Sequence, residues 1–263
     1  MTSRSIQGIA AALGAVAALA GTAPQVSALE TQQAAAAKID PAATPAAYAD
    51  YLRHSQEDGA AGTLAAFQRL TPSQQNKFVD YLHDPAVLET LLDKTTSQGP
   101  VNWDSTRKMK STTSLHNGDV SIGQERTVSS GSTNRRGPLP RGNHTATYTT
   151  YVKVLGVKVI KLNLAVNFHS NGRDITKTNS AEATKRNLSG VISLSHEKPK
   201  TGLSKWEFCR INPHRCTRGH HATASVVWNG EVGFQGSVFQ VDKKQWMKAN
   251  VSGKVIDYYL HNI

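Results

Sequence analysis

Between residues 46 and 95 the apolar side chains recur at helical spacing. Tyr48, Tyr51 and Leu52 share one face, and Leu64, Phe67 and Leu70 form a second cluster behind Thr63, which reads as a cap. Leu70-Thr71-Pro72-Ser73-Gln74 spells out a helix start: a hydrophobic residue, a capping hydroxyl, Pro at the first helical position and Gln three after the cap. Phe78 and Leu82 follow on that helix, and Asp84-Pro85 repeats the logic ahead of Val87, Leu88, Leu91 and Leu92. The pattern predicts three or four short helices. So small a helical unit buries too little surface to stand by itself, so it is expected to pack on a neighbour.

From Asn143 onward the period drops to two. Ile160, Leu162, Leu164, Val166 and Phe168 alternate with Lys161, Asn163, Ala165 and Asn167, which gives a strand with one core face and one wet face. Tyr148, Val152 and Val154 alternate upstream, and Leu155-Gly156 turns the chain between the two runs. Asn171-Gly172 marks a second turn, into a strand from Asp174 to Asn179, and Ile192 and Leu194 lie in another short strand. Ala222, Ala224, Val226 and Trp228 lead to Asn229-Gly230, a strong hairpin signal, with Val232, Phe234 and Val238 beyond it. Val255 to Leu260 reads as the last strand. Many strands joined by turns, with no helix between them, predict a mainly β fold with a small N-terminal α-helical segment. The β part is expected to be an antiparallel β-sandwich or open barrel.

The remaining stretches lack either period. Residues 1–28 read as a signal peptide: Arg4, an uncharged apolar run from Gly8 to Ala20, and Val26-Ser27-Ala28 before a cut. Residues 29–45, rich in Ala, Gln and Pro, read as a disordered tether, and 96–142, rich in Ser, Thr, Gly and Arg, as a linker. The helical segment then occupies 46–95 and the β domain 143–263.

Charge is divided unevenly between these parts. Residues 29–99 carry nine acidic against five basic side chains, a net of −4; residues 100–263 carry ten against twenty-four, a net of +14. A partner selected by electrostatics would therefore be anionic and meet the C-terminal part. The candidate anion-binding side chains are Arg135, Arg136, Arg141, Arg210, Arg215 and Arg218, where guanidinium groups can fork onto phosphate or carboxylate. Basic residues on wet strand faces also serve solubility and discourage edge pairing.

Candidate chemistry beyond charge is sparse. Cys209 and Cys216, the two cysteines of the chain, are expected to form a disulfide closing a short loop. A zinc site from that pair with His214, His220 or His221 is the alternative, though the spacing is not that of a CxxC motif. His169 lies at a strand end beside Arg173 and Asp174, where a general base can be built, but a strand-end turn collects the same residue types for local reasons. Neither Gly-x-Ser-x-Gly nor His-Glu-x-x-His occurs, so no nucleophile can be named and no cofactor is called for.

The stretch from Tyr151 to Val159, Tyr-Val-Lys-Val-Leu-Gly-Val-Lys-Val, continuing through Val166-Asn167-Phe168-His169-Ser170-Asn171-Gly172, resembles secreted β-domain proteins of high-GC Gram-positive bacteria to which no function is attached. The resemblance spans the last half of the chain. It implies export and an all-β domain and carries no catalytic residue across. The expectation is an extracellular binding protein whose cationic β domain engages an anionic surface or polymer: a cell-wall polymer, lipid headgroups or nucleic acid. A secreted basic hydrolase or nuclease-type toxin is the first alternative. A pore-former inserting the long hairpin from Tyr148 to Phe168 is the second.

Overall fold

Thr71 accepts a hydrogen bond from the Gln74 backbone N–H at 3.3 Å, while the Gln74 side chain accepts from the Thr71 N–H at 3.0 Å. Pro72 fills the first turn, where its missing donor is not needed. The helix so started is α3 (Pro72–His83), and α1 (Pro45–His54) begins the same way, with Thr44 accepting from Ala47 ahead of Pro45. α2 (Ala60–Gln68) differs from expectation. Its cap is Gly59, at φ +80°, and Thr63 lies inside the helix, donating its hydroxyl hydrogen to the Lys158 carbonyl at 3.2 Å. The computed structural model of the chain describes residues 40–84, 108–129, 137–210, 215–234 and 237–263. The signal peptide, residues 29–39 of the expected tether and the helix expected after Asp84 lie outside them; residues 40–45, also expected to be disordered tether, are instead ordered, with Ala42 fully buried against the helices and Pro45 opening α1.

Among the described residues ten strands form two antiparallel sheets. The first runs in chain order: β1 (Lys108–Leu115), β2 (Val120–Ser129), β3 (Gly142–Val154), β4 (Val157–Ser170) and β5 (Ile175–Asn187). The second contains β6 (Ile192–His196), β7 (Lys200–Arg210), β8 (Arg215–Phe234), β9 (Ser237–Ala249) and β10 (Val255–Asn262), in the order β10-β9-β8-β6 with β7 also on β8. The sheets share no strand, so the architecture is a sandwich with helices added to it.

The inner face of the first sheet serves two cores. Tyr148, Leu164, Val166 and Phe168 pack with Trp228, Met247, Tyr258 and Leu260 of the second sheet. Farther along the same strands, Ile122, Val152, Val154 and Val159 pack with Tyr48, Leu52, Phe67, Phe78 and Leu82 of the helices. Tyr48 also donates its hydroxyl to the Leu188 carbonyl at 2.7 Å, and Lys77 and Tyr81 of α3 both engage Asp119, between β1 and β2. The helical segment thus finds the neighbour its size requires.

Three further sequence expectations are corrected. The 96–142 stretch read as a linker contains β1 and β2. Its alternation was obscured because the buried face of β2 carries Gln124 and Arg126 among Val120, Ile122 and Val128, and because β1 is a largely wet edge strand. Asn229-Gly230 does not turn: β8 runs straight through it, with Asn229 opposite Asp242 and Gly230 opposite Val241, where a Cβ would come within 3.3 Å of the Val241 carbonyl oxygen. The third concerns Thr63, already described. Leu155-Gly156 does turn, both residues at positive φ (46° and 81°), as a tight hairpin requires. The β3–β4 hairpin is central in its sheet, bonded to β2 on one flank and β5 on the other.

Since helices and sandwich share one sheet face, they should unfold together. Phe78→Ala, at a fully buried position, is expected to cost about 3–5 kcal/mol. Denaturation followed by helical circular dichroism and by tryptophan fluorescence should still give coincident transitions. A helical transition separate from the β transition would contradict the shared core.

Candidate functional site

β7 pairs with β8 from Lys200↔Ser225 to Arg210↔Arg215, and Cys209 and Cys216 sit directly opposite one another, joined by the disulfide expected from sequence. β9 joins β8 only from Ala222 onward. Residues 215–221 of β8 therefore have β7 as their strand neighbour and an open edge on the other side. Toward its end the hairpin is exposed, from Glu207 to Cys209 on β7 and from Cys216 to Arg218 on β8.

Strand alternation divides its side chains. Lys205, Glu207, Arg218 and His220 belong to one face; Trp206, Phe208 and His221 belong to the other. Phe208 is 58% exposed, and Leu203 on β7 is 41% exposed. Trp206 lies over Gly219 and stacks on His221 with ring centres 5.9 Å apart. A Cβ at position 219 would come within 2.8 Å of the indole and 2.9 Å of an Asp174 oxygen, so only glycine fits there.

Asp174 clamps the base of this arm. In the turn between β4 and β5, the Asn171 side-chain oxygen accepts from the N–H groups of Arg173 and Asp174 at 2.9 and 2.8 Å, which fixes the turn and aims Asp174 at the open edge of β8. There Oδ1 accepts the His220 backbone N–H at 2.7 Å, and Oδ2 lies 2.8 Å from His220 Nδ1. Burial pushes the Asp174 carboxyl up, but hydrogen bonds from the His220 ring, the His220 backbone and the Ile175 backbone outweigh it and hold the group below its ordinary value. Burial and nearby Lys248 push the His221 imidazole down. A cleft of about 550 Å³ opens beside the clamp, walled by Lys205, Trp206, Glu207 and Arg218 as well as Asp174 and His220.

The sequence candidates distribute unevenly over this geometry. Arg210, Arg215 and Arg218 all fall on the hairpin, the first two opposite each other at its end. Arg218 is ion-paired, its Nε 2.8 Å from Glu207 Oε1. Arg141 is exposed, its backbone beside Gly172 of the turn that supplies Asp174. Arg135 and Arg136 lie outside the described residues. His169 stands apart on the outer face of the first sheet, its Nδ1 3.0 Å from the Asn143 side-chain oxygen in a ladder of Asn and Thr side chains. The zinc alternative loses its thiolates to the disulfide; of its imidazoles, His220 is held by Asp174, His221 is stacked on Trp206, and His214 lies outside the described residues. Glu207 approaches the sulfur pair, but a carboxylate beside a disulfide is not a zinc set.

Sequence reading missed Trp206, Gly219 and the pairing of Asp174 with His220. β7 has no core face to give it a hydrophobic period, and the clamp joins residues 46 apart.

The clamp has a defined acid limit. Because the folded value of Asp174 lies below the unfolded one, its stabilisation is fully present above the ordinary carboxylate range, about 3.9, and is lost as pH falls through the lowered folded value. The His220 amide should therefore stay protected from exchange at pH 5 and lose protection below about pH 4. Asp174→Asn should abolish that acid limb. An unchanged limb in the variant would show that Asp174 does not set it.

No protein family, curated protein or solved structure matches the chain, and its site is read from its own residues.

Proposed function

We propose that the chain is an exported, extracellular or cell-wall-associated binding protein, matured by a cut after Ala28, whose cationic β domain engages an anionic surface through the β7–β8 hairpin. The observation that carries this reading is the exposed Phe208 on a disulfide-closed arm that also bears Lys205, Arg210, Arg215 and Arg218. A polyanion such as a cell-wall polymer or nucleic acid needs the charges alone. An exposed aromatic on one face of an arm that carries cations on the other suits the boundary between phospholipid headgroups and acyl chains, where the ring is buried and the cations stay among phosphates. Lipid headgroups are therefore the favoured partner. The disulfide keeps the strands paired outside the sheet, where little core holds them.

One observation favours the hydrolase alternative: Asp174 orients His220 at the wall of a cleft, the arrangement of a general base with its supporting carboxylate. If that reading held, His220→Ala would lower cleavage of a duplex DNA substrate by about a hundredfold or more, while His169→Ala would leave it unchanged.

Binding to vesicles tests the proposal. The chain should sediment with phosphatidylglycerol vesicles and not with phosphatidylcholine vesicles, and release as salt rises. Phe208→Ala should lower partitioning about tenfold or more. Replacing Lys205 and Arg218 by Ser should lower it about thirtyfold, at about 1 kcal/mol per cation near the surface. Equal binding to both lipids, or folded variants that bind like the parent, would overturn it. Leakage of trapped dye would instead favour the pore-former.

A further inference from the structure

Arg126 is 4% exposed, on the inner face of β2, and among the described residues its Nε and Nη1 have no hydrogen-bond partner. Directly across the register stands Tyr148, fully buried, its hydroxyl also unpartnered. Thr150, next on that face of β3 and 3% exposed, has an unpartnered hydroxyl too. The guanidinium lies 3.8 Å from the centre of the Tyr258 ring of β10, and that ring meets Tyr148 edge-on at 5.1 Å. Stacking covers the flat faces of these groups; the Tyr148 and Thr150 hydroxyls are neighbours, and Tyr258 is the polar side chain beside the guanidinium.

The cluster sits on a seam. Along β2, Val120 and Ile122 belong to the core under the helices and Val128 to the core between the sheets; Gln124 and Arg126 fall between. Along β3, Val152 and Val154 belong to the first core, Tyr148 and Ala146 to the second, and Thr150 falls between. Among the described residues the nearby carboxylates do not serve the guanidinium: Asp257 is 3.5 Å from Lys248, and Glu125 points to the opposite face of β2. The groups that face the guanidinium are the ring of Tyr258 and, across the register, Tyr148, neither of them a carboxylate. An arginine remains charged in a protein, and a buried charge without a counter-charge is destabilising unless something supplies one.

We infer that Arg126, Tyr148 and Thr150 form a buried receptor for a single carboxylate, taken in along the seam between the helices and the second sheet. The donors suffice: Nε and Nη1 carry three N–H groups, which can fork onto a carboxylate, and the two hydroxyls can donate to its remaining lone pairs. A monoanion neutralises the one unpaired guanidinium, whereas a dianion would leave surplus charge inside. This site is separate from the hairpin and does not rest on it.

Acetate, compared with its uncharged shape-mate acetamide at constant ionic strength, tests the inference by thermal unfolding of the full chain. Acetate should raise Tm saturably and acetamide should not. Arg126→Met, which keeps the stem and loses the charge, should abolish the rise. Tyr148→Phe should keep the fold and weaken acetate about tenfold or more, so the question stays decidable even if the arginine variant does not fold. Neutralising Lys205 and Arg218 should leave the rise unchanged, which separates this receptor from the hairpin surface. No response to acetate, an equal response to acetamide, an unchanged response in both core variants, or a response to inorganic phosphate without one to acetate would each overturn it.

Discussion

Everything in this fold depends on the inner face of the first sheet, which is apolar at both ends and polar only along the seam of Gln124, Arg126 and Thr150 between its two cores. β3 and β4 carry that face, and it is too long for the second sheet to cover. The uncovered end is sealed by three helices that are individually too short to persist in water. Phe67 meets Tyr48 and Phe78 edge to face, and Tyr48 lies tilted against Phe78, all at about 5 Å; the surface they present to Val152, Val154 and Val159 completes the sandwich. The acidic helical part and the basic β part are thus one cooperative body despite their opposite charge.

That arrangement explains why the hairpin stands out. Strands that contribute to either core are paired on both sides or packed on one face. The outer part of β7–β8 is neither, and the disulfide and the Asp174 carboxylate replace the core that elsewhere holds strands together. Natural proteins blunt exposed strand edges with charge because such edges invite pairing. Here charge and aromatic surface occur together on the arm, a combination that solubility alone does not call for.

Local rules made part of this legible from sequence. The capping box at Thr71, the turn at Leu155-Gly156, the strict alternation of β4 and the cysteine pair each depend on residues close in the chain, and each is present in the structure. The failures have one physical origin: tertiary context replaced the expected residue type. β2 buries Gln124 and Arg126 where alternation calls for hydrophobes. β7 has no buried face to mark. Gly230 serves close approach of β9 and not a turn. Of the six arginines singled out by charge, three share the hairpin, but the residues that shape the site, Trp206, Gly219 and the Asp174–His220 pair, become visible only when strands far apart in sequence are brought side by side.

The central claim is that the core holds one rigid body and leaves a single described arm free to bind. Amide hydrogen exchange of the whole chain, alone and with phosphatidylglycerol vesicles, tests it most directly. Slowest exchange is predicted in β3 and β4, with α1–α3 opening together with them, and fastest exchange among strand residues at 205–218, where protection should rise when vesicles are added. Protection that rises instead on the outer face of β3–β4, or nowhere, would contradict it.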